Sequence, residues 1–361
     1  MGLFILRRLG VMILTALCLT FIVFFLTNLY PNLEKLAKTQ GEMRMSDEQV
    51  ERWLANRGYD QPLPIKYGEW LGVWPSKIIN TDDGRTYGRC IESGVAIEDT
   101  PRFCGVIQGD WGFSSVFKND VAGIIATRLS LTGKLMFWVM ILMIPSALLI
   151  GVLAGMREGS RTDRSLSTLS IATTATPEYV SGVIFIALFA ASASPLNQWL
   201  ASMDWIEGRT LFKGTATSAM ENANFNNFFL PVLTISLYGM GYIARMTRAS
   251  MAEVMTAQYI RTARLKGVSF PNIVVKHALR NALIAPFTVI MLQIPWLLNG
   301  VVIVETLFNY KGFGWVLVQA AGNNDIELLL GVSVVSVIVV LITQLISDIG
   351  YVYLNPRISV T

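Results

Sequence analysis

Six apolar runs of membrane length govern what this chain can become: Leu9–Leu29, Leu135–Met156, Leu166–Ser192, Phe228–Met246, Leu283–Val304 and Leu328–Tyr353. A helix crosses a bilayer core with roughly 20 apolar residues. The runs therefore predict an all-α integral membrane protein with six transmembrane helices. Composition agrees: of 361 residues, 53% are hydrophobic and 15% charged, with a mean hydropathy of +0.49. Soluble domains carry about 25% charged residues. The third run is the least apolar, because it holds several threonines and Pro177.

The first run follows Arg7 and Arg8 and ends in NLYPN. It is longer than the apolar core of a signal peptide, so residues 1–30 read as an uncleaved first span. With the N-terminus in the cytoplasm and six alternating spans, the cytoplasmic side collects 13 of the 29 Lys and Arg residues and three acids, Glu158, Asp163 and Glu253. That bias in short loops follows the positive-inside rule. Both termini are expected in the cytoplasm, with 356–361 as a short tail. The basic pI of about 8.9 thus describes topology, and no nucleic-acid partner is expected.

Between the first two spans lies a polar segment, 31–126, expected on the outer face. Within it, MSDEQVERWLANRG reads as a short helix, capped by Ser46 with Gln49 three residues on, and ended by Gly58. YDQPLPIKYGEWLGVWP and NTDDGRTYG are rich in turn residues. Trp53, Trp70, Trp74 and Trp111 form a small core or rest at the membrane surface, the core being favoured. Cys90 and Cys104, 14 residues apart in an oxidising compartment, are compatible with a disulfide. Cys18, in the first span, is expected to pack against its neighbours. A second outer segment, about 193–227, is polar and rich in Asn; MREGSRTDRS forms a short cytoplasmic loop.

The stretch TARLKGVSFPNIVVKHALRNA, Thr262–Ala282, is basic, broken by glycine, and flanked by spans. Thr256 is expected to cap a first short helix, which stops at Gly267, a residue that tolerates positive φ. Ser269 or Phe270 precedes a second helix, with Pro271 in its first turn. Val274, Val275, Ala278, Leu279, Ala282 and Leu283 then line one apolar stripe at helical spacing. Lys276 and Arg280 fall elsewhere. The segment reads as a helix–turn–helix at the cytoplasmic surface. It is either an amphipathic loop on lipid or a docking element for a cytoplasmic partner.

These residues resemble the signature loop of ABC importer permeases: EAA, three residues, Gly, nine residues, then I-x-L-P. Gly267 takes the glycine place, Ala263 the second alanine place and Leu279 the leucine place. Arg261 and Thr262 replace the Glu and first Ala, and His277 and Arg280 stand where Ile and Pro would be. In the dipeptide/oligopeptide/nickel branch of the family, runs similar to YIRTARLKG and HALRNAL are usual. RRLGVMILTALCLTFIVFFL resembles the first span of a B-type permease subunit, and GDWGFS (Gly109–Ser114) the G-D-x-G-x-S before the second. LPVLTISLYGMGYIARMTRASMAEVM, NGVVIVETLFNYKGFGW and DIGYVYLNPRI follow the same course, with Asn355 in place of an Asp.

The resemblance implies a type I ABC importer permease fold, its core at 127–355 and its coupling loop at about 256–281, in the inner membrane of a bacterium. It implies as partners a second, C-type permease, two cytoplasmic ATP-binding subunits and a periplasmic solute-binding protein. Arg261, Ala263, Arg264, Lys266, Gly267 and Leu279 are the candidate residues for coupling to the ATPase. Peptides are the favoured cargo. Oligosaccharides, opines and nickel also occur in the family, nickel being disfavoured by a single histidine and scattered methionines.

The residues themselves exclude other classes. No G-x-x-x-x-G-K-[ST] is present, since Gly133-Lys134 lacks the upstream glycine. ATP and Mg would therefore sit on partner subunits, and this chain is expected to bind no cofactor or metal. His277, the sole histidine, cannot make an H-E-x-x-H zinc site, and there is no G-x-S-x-G nucleophile turn. His277 reads as a helix-surface residue. No enzyme is expected; a passive channel is the alternative from another class, distinguished by whether ATPase subunits co-purify. Glu178 follows Pro177 midway along the third run, near Thr173, Thr174 and Thr176. An ionisable group at that depth usually faces a bundle interior or a wet cavity. Glu178 and Thr174 are therefore candidate substrate-path residues, Glu178 toward an amine, against the alternative of a bond to a neighbouring helix.

Overall fold

The computed structural model describes residues 2–81, 84, 86–91, 97–206 and 208–354. Its helices are α1 (Gly2–Thr27), α2 (Tyr30–Gln40), α3 (Asp47–Ala55), α4 (Leu63–Leu71), α5 (Val121–Gly155), α6 (Arg161–Ala175), α7 (Glu178–Phe185), α8 (Pro195–Ser202), α9 (Phe225–Met255), α10 (Gln258–Leu265), α11 (Phe270–Asn272), α12 (Leu279–Ala282), α13 (Ile284–Leu307), α14 (Phe313–Gly322) and α15 (Ile326–Leu354). One hairpin pairs β1 (Ile79–Asn80) antiparallel to β2 (Thr86–Tyr87). Asn355 and the tail 356–361 lie outside the described residues, as do Asp82, Asp83 and Arg85 of the turn-rich NTDDGRTYG.

Among the described residues, five helical stretches are long and apolar enough to cross a membrane: Leu6–Thr27, Val121–Gly155, Glu178–Ser202, Phe225–Met255 and Ile326–Gly350. A sixth forms when Phe270–Ala282 and Ile284–Gln293, bent by 50°, count as one span. The third window is corrected. Leu166–Ser192 is not one helix, because α6 ends where Thr176 (ψ 120°) and Pro177 (ψ 144°) are extended. Proline has no N–H to donate and pushes the residue before it out of the α region. The spanning helix therefore begins at Glu178, widens to a π-turn over Ile186–Ala190, and gives way to α8 after a short turn.

The chain divides into two compact units. The first is Leu129–Trp315 with Val340–Thr361. Its central post is α9, whose spanning window is 67% buried, against 11–33% for the other four. Leu135, Val139 and Met143 of α5, Ile235 and Ile243 of α9, and Leu297, Val301 and Val304 of α13 share one core with Tyr310. Gly151 and Gly155 let α5 lie directly on α9: a Cβ at Gly151 would strike Thr247 and the Ala244 carbonyl, and one at Gly155 the Arg248 carbonyl and Met251. Hydrocarbon does not drive helices together, so close backbone packing through small residues replaces that force.

Beyond α13 the chain reverses over Phe308–Gly312, with Asn309 at φ 50°. Glu305, wholly buried, holds this turn. Its carboxylate accepts from the Thr132 hydroxyl and from the Trp315 N–H at 2.9 Å, and its carbonyl accepts from the Tyr310 N–H at 2.8 Å. Thr132 Oγ1 in turn accepts from the Phe313 N–H at 2.8 Å. The sequence reading missed this acid, which lies one residue past its fifth window.

The second unit is Gly2–Arg128 with Val316–Val339. The segment 31–126 falls in this unit. Its core joins Leu33, Leu36, Val50, Leu54 and Trp70 to Phe24 of α1 and to Ile326, Leu330 and Val334 of α15. Trp70 is 3% exposed; Trp53 and Trp111 pack at the edge, and Trp74 is exposed and outside the core. Ser46 and Gln49 form the reciprocal capping box that starts α3. In GDWGFS, Asp110 Oδ1 accepts from the Gly112 N–H at 3.0 Å. Ser114 donates to Asp325 Oδ2 at 2.6 Å, and the same oxygen takes the Val116 N–H at 3.1 Å. Asp325 also accepts from the Leu328 N–H at the start of α15, at 3.4 Å.

Cys90 and Cys104 are joined in a disulfide with Cα atoms 5.5 Å apart. Cys18, expected to pack, is exposed instead. The Cys90→Ser variant should lose about 3 kcal/mol in the chain-entropy account of a loop of this length. The measurement is the onset of proteolysis within 31–126, compared between variant and parent under non-reducing conditions. Equal onset would deny the bond a stabilising role.

Candidate functional site

The glycine-broken segment starts where α9 stops. Thr256 ends the long helix rather than capping the next: its N–H bonds back to Glu253 and Val254, and its hydroxyl donates to the Glu253 carbonyl at 2.7 Å. Ala257 then takes the N-cap place of α10 with no side-chain bond. A threonine can satisfy the carbonyls behind it as well as the N–H groups ahead, and here the helix behind wins.

Along α10, Ile260 and Ala263 turn inward against Met251, Met255, Ile273, Val274 and Ala278. Arg261, Arg264 and Lys266 stay exposed on the other side. Leu265, 82% exposed, and Tyr259 stand among them, an apolar contribution that the sequence reading did not single out. The helix closes with both Schellman bonds, Val268 N–H to Ala263 carbonyl at 3.2 Å and Gly267 N–H to Arg264 carbonyl at 3.0 Å. This closure needs a residue at C′ with positive φ. Gly267 supplies it at φ +76°, and a Cβ there would meet nothing within 4 Å, so only the backbone conformation selects glycine.

The second half departs from the expected stripe. After Ser269 and the Pro271 turn, residues Ile273–Ala278 form a π-turn. The wider turn rotates the buried face: Ile273 joins Val274, Ala278 and Ala282 inside, while Val275 is 61% exposed. Leu279 is half-buried and His277 exposed. Of the six candidate coupling residues, four (Arg261, Arg264, Lys266 and Gly267) are thus exposed, while Ala263 and, in part, Leu279 hold the segment to the body. Asn281 donates to the Tyr259 hydroxyl at 2.9 Å, and Ser250 to the Ala282 carbonyl at 2.9 Å, tying both short helices to each other and to α9.

The first turn of α6 and the loop before it brace this assembly. Arg248 of α9 grips Asp163 with two bonds, Nε to Oδ1 at 2.6 Å and Nη2 to Oδ2 at 2.8 Å. Asp163 also accepts from the Gly159 N–H at 2.8 Å and the Ser167 hydroxyl at 3.0 Å. Arg157 lies over the Phe270 ring at 5.2 Å, the geometry of a cation–π contact. The Arg248 guanidinium holds the Asp163 carboxyl well below the usual carboxylate range, helped by the Gly159 N–H and Ser167 and opposed by burial.

Glu178 opens α7, which packs on α9 and α13. It is 8% exposed, and Oε1 meets no hydrogen-bond donor. The break at Pro177 puts it at a helix start, not midway along one. Thr174 does not join it: its hydroxyl bonds the Ser170 and Ile171 carbonyls of its own helix, at 3.1 and 3.0 Å. Among the described residues, no group of three His, Cys, Asp or Glu side chains is placed to hold a metal ion.

Residues 147–360 match the family described as binding-protein-dependent transport system inner membrane component. The chain belongs to that family. It is a multi-pass inner-membrane transport permease. It is 31% identical to the di/tripeptide transport system permease protein DppB of Pseudomonas aeruginosa over 98% of both chains. It is 30% identical to a probable peptide ABC transporter permease of Sinorhizobium fredii over 99% of both, and 28% identical to the dipeptide transport system permease protein DppB of Escherichia coli K12 over 98% of both.

The Asp163–Arg248 link yields a prediction. A folded-state pKa below the unfolded value gives stability that is present above the ordinary carboxylate range and lost as pH falls through the depressed value. Thermal unfolding of the detergent-solubilised chain should therefore show the full contribution of this pair, unchanged with pH, between pH 5 and 8, and its loss only in strong acid. Asp163→Ala, which leaves Arg248 only its 3.8 Å contact with Glu158, should destabilise by about 2 kcal/mol, the scale of a hydrogen bond to a charged group. A melt unchanged in Asp163→Ala would reduce the pair to a surface contact.

Proposed function

We propose that this permease is the B-type subunit of an ABC importer for short peptides, and that α10 with the following turn docks on a cytoplasmic ATPase. The single observation that carries the reading is similarity to peptide permeases along essentially the whole chain, including the segment between α1 and α5. Its partners are then a C-type permease, two ATP-binding subunits that hold ATP and Mg, and a periplasmic solute-binding protein. The chain itself performs no covalent chemistry. Both termini lie in the cytoplasm and 31–126 in the periplasm, a placement supported by the basic bias of the short loops.

The geometry of α10 supports the docking role. Ile260 and Ala263 fix its inner face, and Arg261, Arg264, Lys266 and Leu265 form a basic rim around an apolar knob. Such a patch suits a groove with apolar walls and acidic edges. A lever must keep its shape under load, and the Schellman closure at Gly267 sets that shape. In a complex reconstituted with its partners, Gly267→Val should preserve assembly while substrate-stimulated ATP hydrolysis collapses, because valine at φ +76° costs about 1–2 kcal/mol. The Arg264→Ala, Lys266→Ala double variant should weaken ATPase recovery mildly and more so at high salt. Normal stimulation in Gly267→Val would reduce the segment to a basic loop.

Glu178 is assigned to the substrate path, toward the peptide ammonium. A buried carboxylate oxygen without a donor costs stability unless something else uses it. Glu178→Gln removes the charge, so the melting temperature should hold or rise while uptake of lysine-containing dipeptides falls several-fold. Unaltered uptake, or a lipid-exposed label at 178, would remove it from the path.

A further inference from the structure

A cleft of about 280 Å³ opens within the second unit, its walls carrying Tyr59, Trp70 and Tyr87 beside Arg57, Lys66 and Arg89. Two acids also line it, and both are engaged. Glu69 accepts from the Lys77 N–H at 3.2 Å and from Gln61 at 3.5 Å, and Glu327 lies 3.5 Å from Arg89. The cations are less well matched. Lys66 donates to the Asn28 side chain at 3.1 Å and to the Tyr59 carbonyl at 3.0 Å, both neutral. Arg57 stacks on Trp53 at 3.9 Å and on Tyr87 at 4.6 Å. Among the described residues, no carboxylate comes within salt-bridge distance of either.

Two buried donors in the same walls are unsatisfied. Trp70 is 3% exposed, and its indole N–H meets no acceptor. Arg89 Nε is also without a hydrogen bond; Asp110 Oδ2 stands 3.4 Å away but out of bonding geometry. Buried donors are nearly always paired, so each such orphan calls for an explanation. Burial pulls the Lys66 ammonium below its usual value, opposed by the nearby charge of Asp60. Four cations against two acids leave the lining positive. The aromatic walls favour an organic body over a bare inorganic anion, and the volume sits at the small end of ligand pockets, which run from roughly 300 to 1,000 Å³.

We propose that this cleft binds a small carboxylate-bearing organic solute, the carboxylate accepting from Trp70 Nε1 and Arg89, with Arg57 and Lys66 supplying charge and the tyrosines contacting its apolar part. Arg and indole N–H groups are strong donors to an ionised oxygen. The site is separate from α10 and Glu178, and it does not rest on the peptide-import reading: its test reads binding, not uptake.

The full-length chain, in neutral-lipid nanodiscs, is titrated calorimetrically with alanyl-phenylalanine, its C-terminal amide and inorganic phosphate. The free acid should bind saturably, and the amide about tenfold more weakly, the loss expected when a charge-assisted bond is removed. Trp70→Phe, which keeps the ring and drops the N–H, should weaken the acid by a similar factor. Arg57→Gln, at a partly exposed position, should weaken it in a salt-dependent way, and decides the matter if Trp70→Phe does not fold. Equal binding of acid and amide overturns the proposal, as does full binding in the folded variants. Tighter binding of phosphate, or loss of the dipeptide only in anionic-lipid nanodiscs, would make this a phosphate or lipid-headgroup site and equally overturn it.

Discussion

Backbone hydrogen bonding governs the membrane-spanning part of this chain. In hydrocarbon, an N–H or C=O without a partner costs several kcal/mol, so a helix can break only where protein groups take over the freed atoms. The described breaks obey this. At Thr176–Pro177 the proline has no N–H to orphan, and the Thr176 N–H still reaches Ala172. At the turn after α13, the Glu305 carboxylate and Thr132 hydroxyl receive the N–H groups of Trp315 and Phe313. At the bend beside Leu283, Ser250 caps the Ala282 carbonyl. At the last two, side-chain oxygen substitutes for a helical partner; at the first, proline leaves no N–H to satisfy.

The buried acids divide on the same criterion. Asp163, Glu305 and Asp325 each gather two or more donors from backbone and hydroxyl groups, and each closes a turn or a helix start. Their chemistry is spent on the fold. Glu178 is also buried, at 8% exposed, and leaves an oxygen bare. A carboxylate kept at that cost without a structural return is the better candidate for function, which is why the substrate-path proposal names Glu178 and not Glu305. Residue type alone would have ranked them equally.

Much of this was legible in the sequence. Apolar run length marked the spans, the Ser46–Gln49 pair marked a helix start, and Gly267 marked a helix end, because each depends on a handful of adjacent residues. What escaped depends on partners far along the chain. Nothing near Asp163 announces Arg248, 85 residues on, nor does anything near Ser114 announce Asp325. The stripe over 274–283 failed for a different reason: it assumed 3.6 residues per turn, and a π-turn shifted Ile273 inward and Val275 outward. Thr256 misled because one hydroxyl serves equally well behind or ahead.

These constraints bear on the docking role proposed for the segment 256–281. A docking element that carries force needs a stiff link to the spans and a surface free of that duty. Here the two are separated by residue. Ile260, Ala263, Val274 and Ala278 form the apolar anchor, and Asn281, Ser250 and the Asp163–Arg248 pair add directional bonds around it. Among the described residues, Arg261, Arg264, Lys266 and Leu265 make no side-chain hydrogen bond or ion pair, and all four are exposed. Gly267 joins the two sets: its positive φ lets the chain turn within two residues while both terminal carbonyls of α10 stay bonded. In the docking role proposed above, motion imposed on the exposed rim would be delivered to α9, whose spanning window is 67% buried, rather than dissipated in the loop.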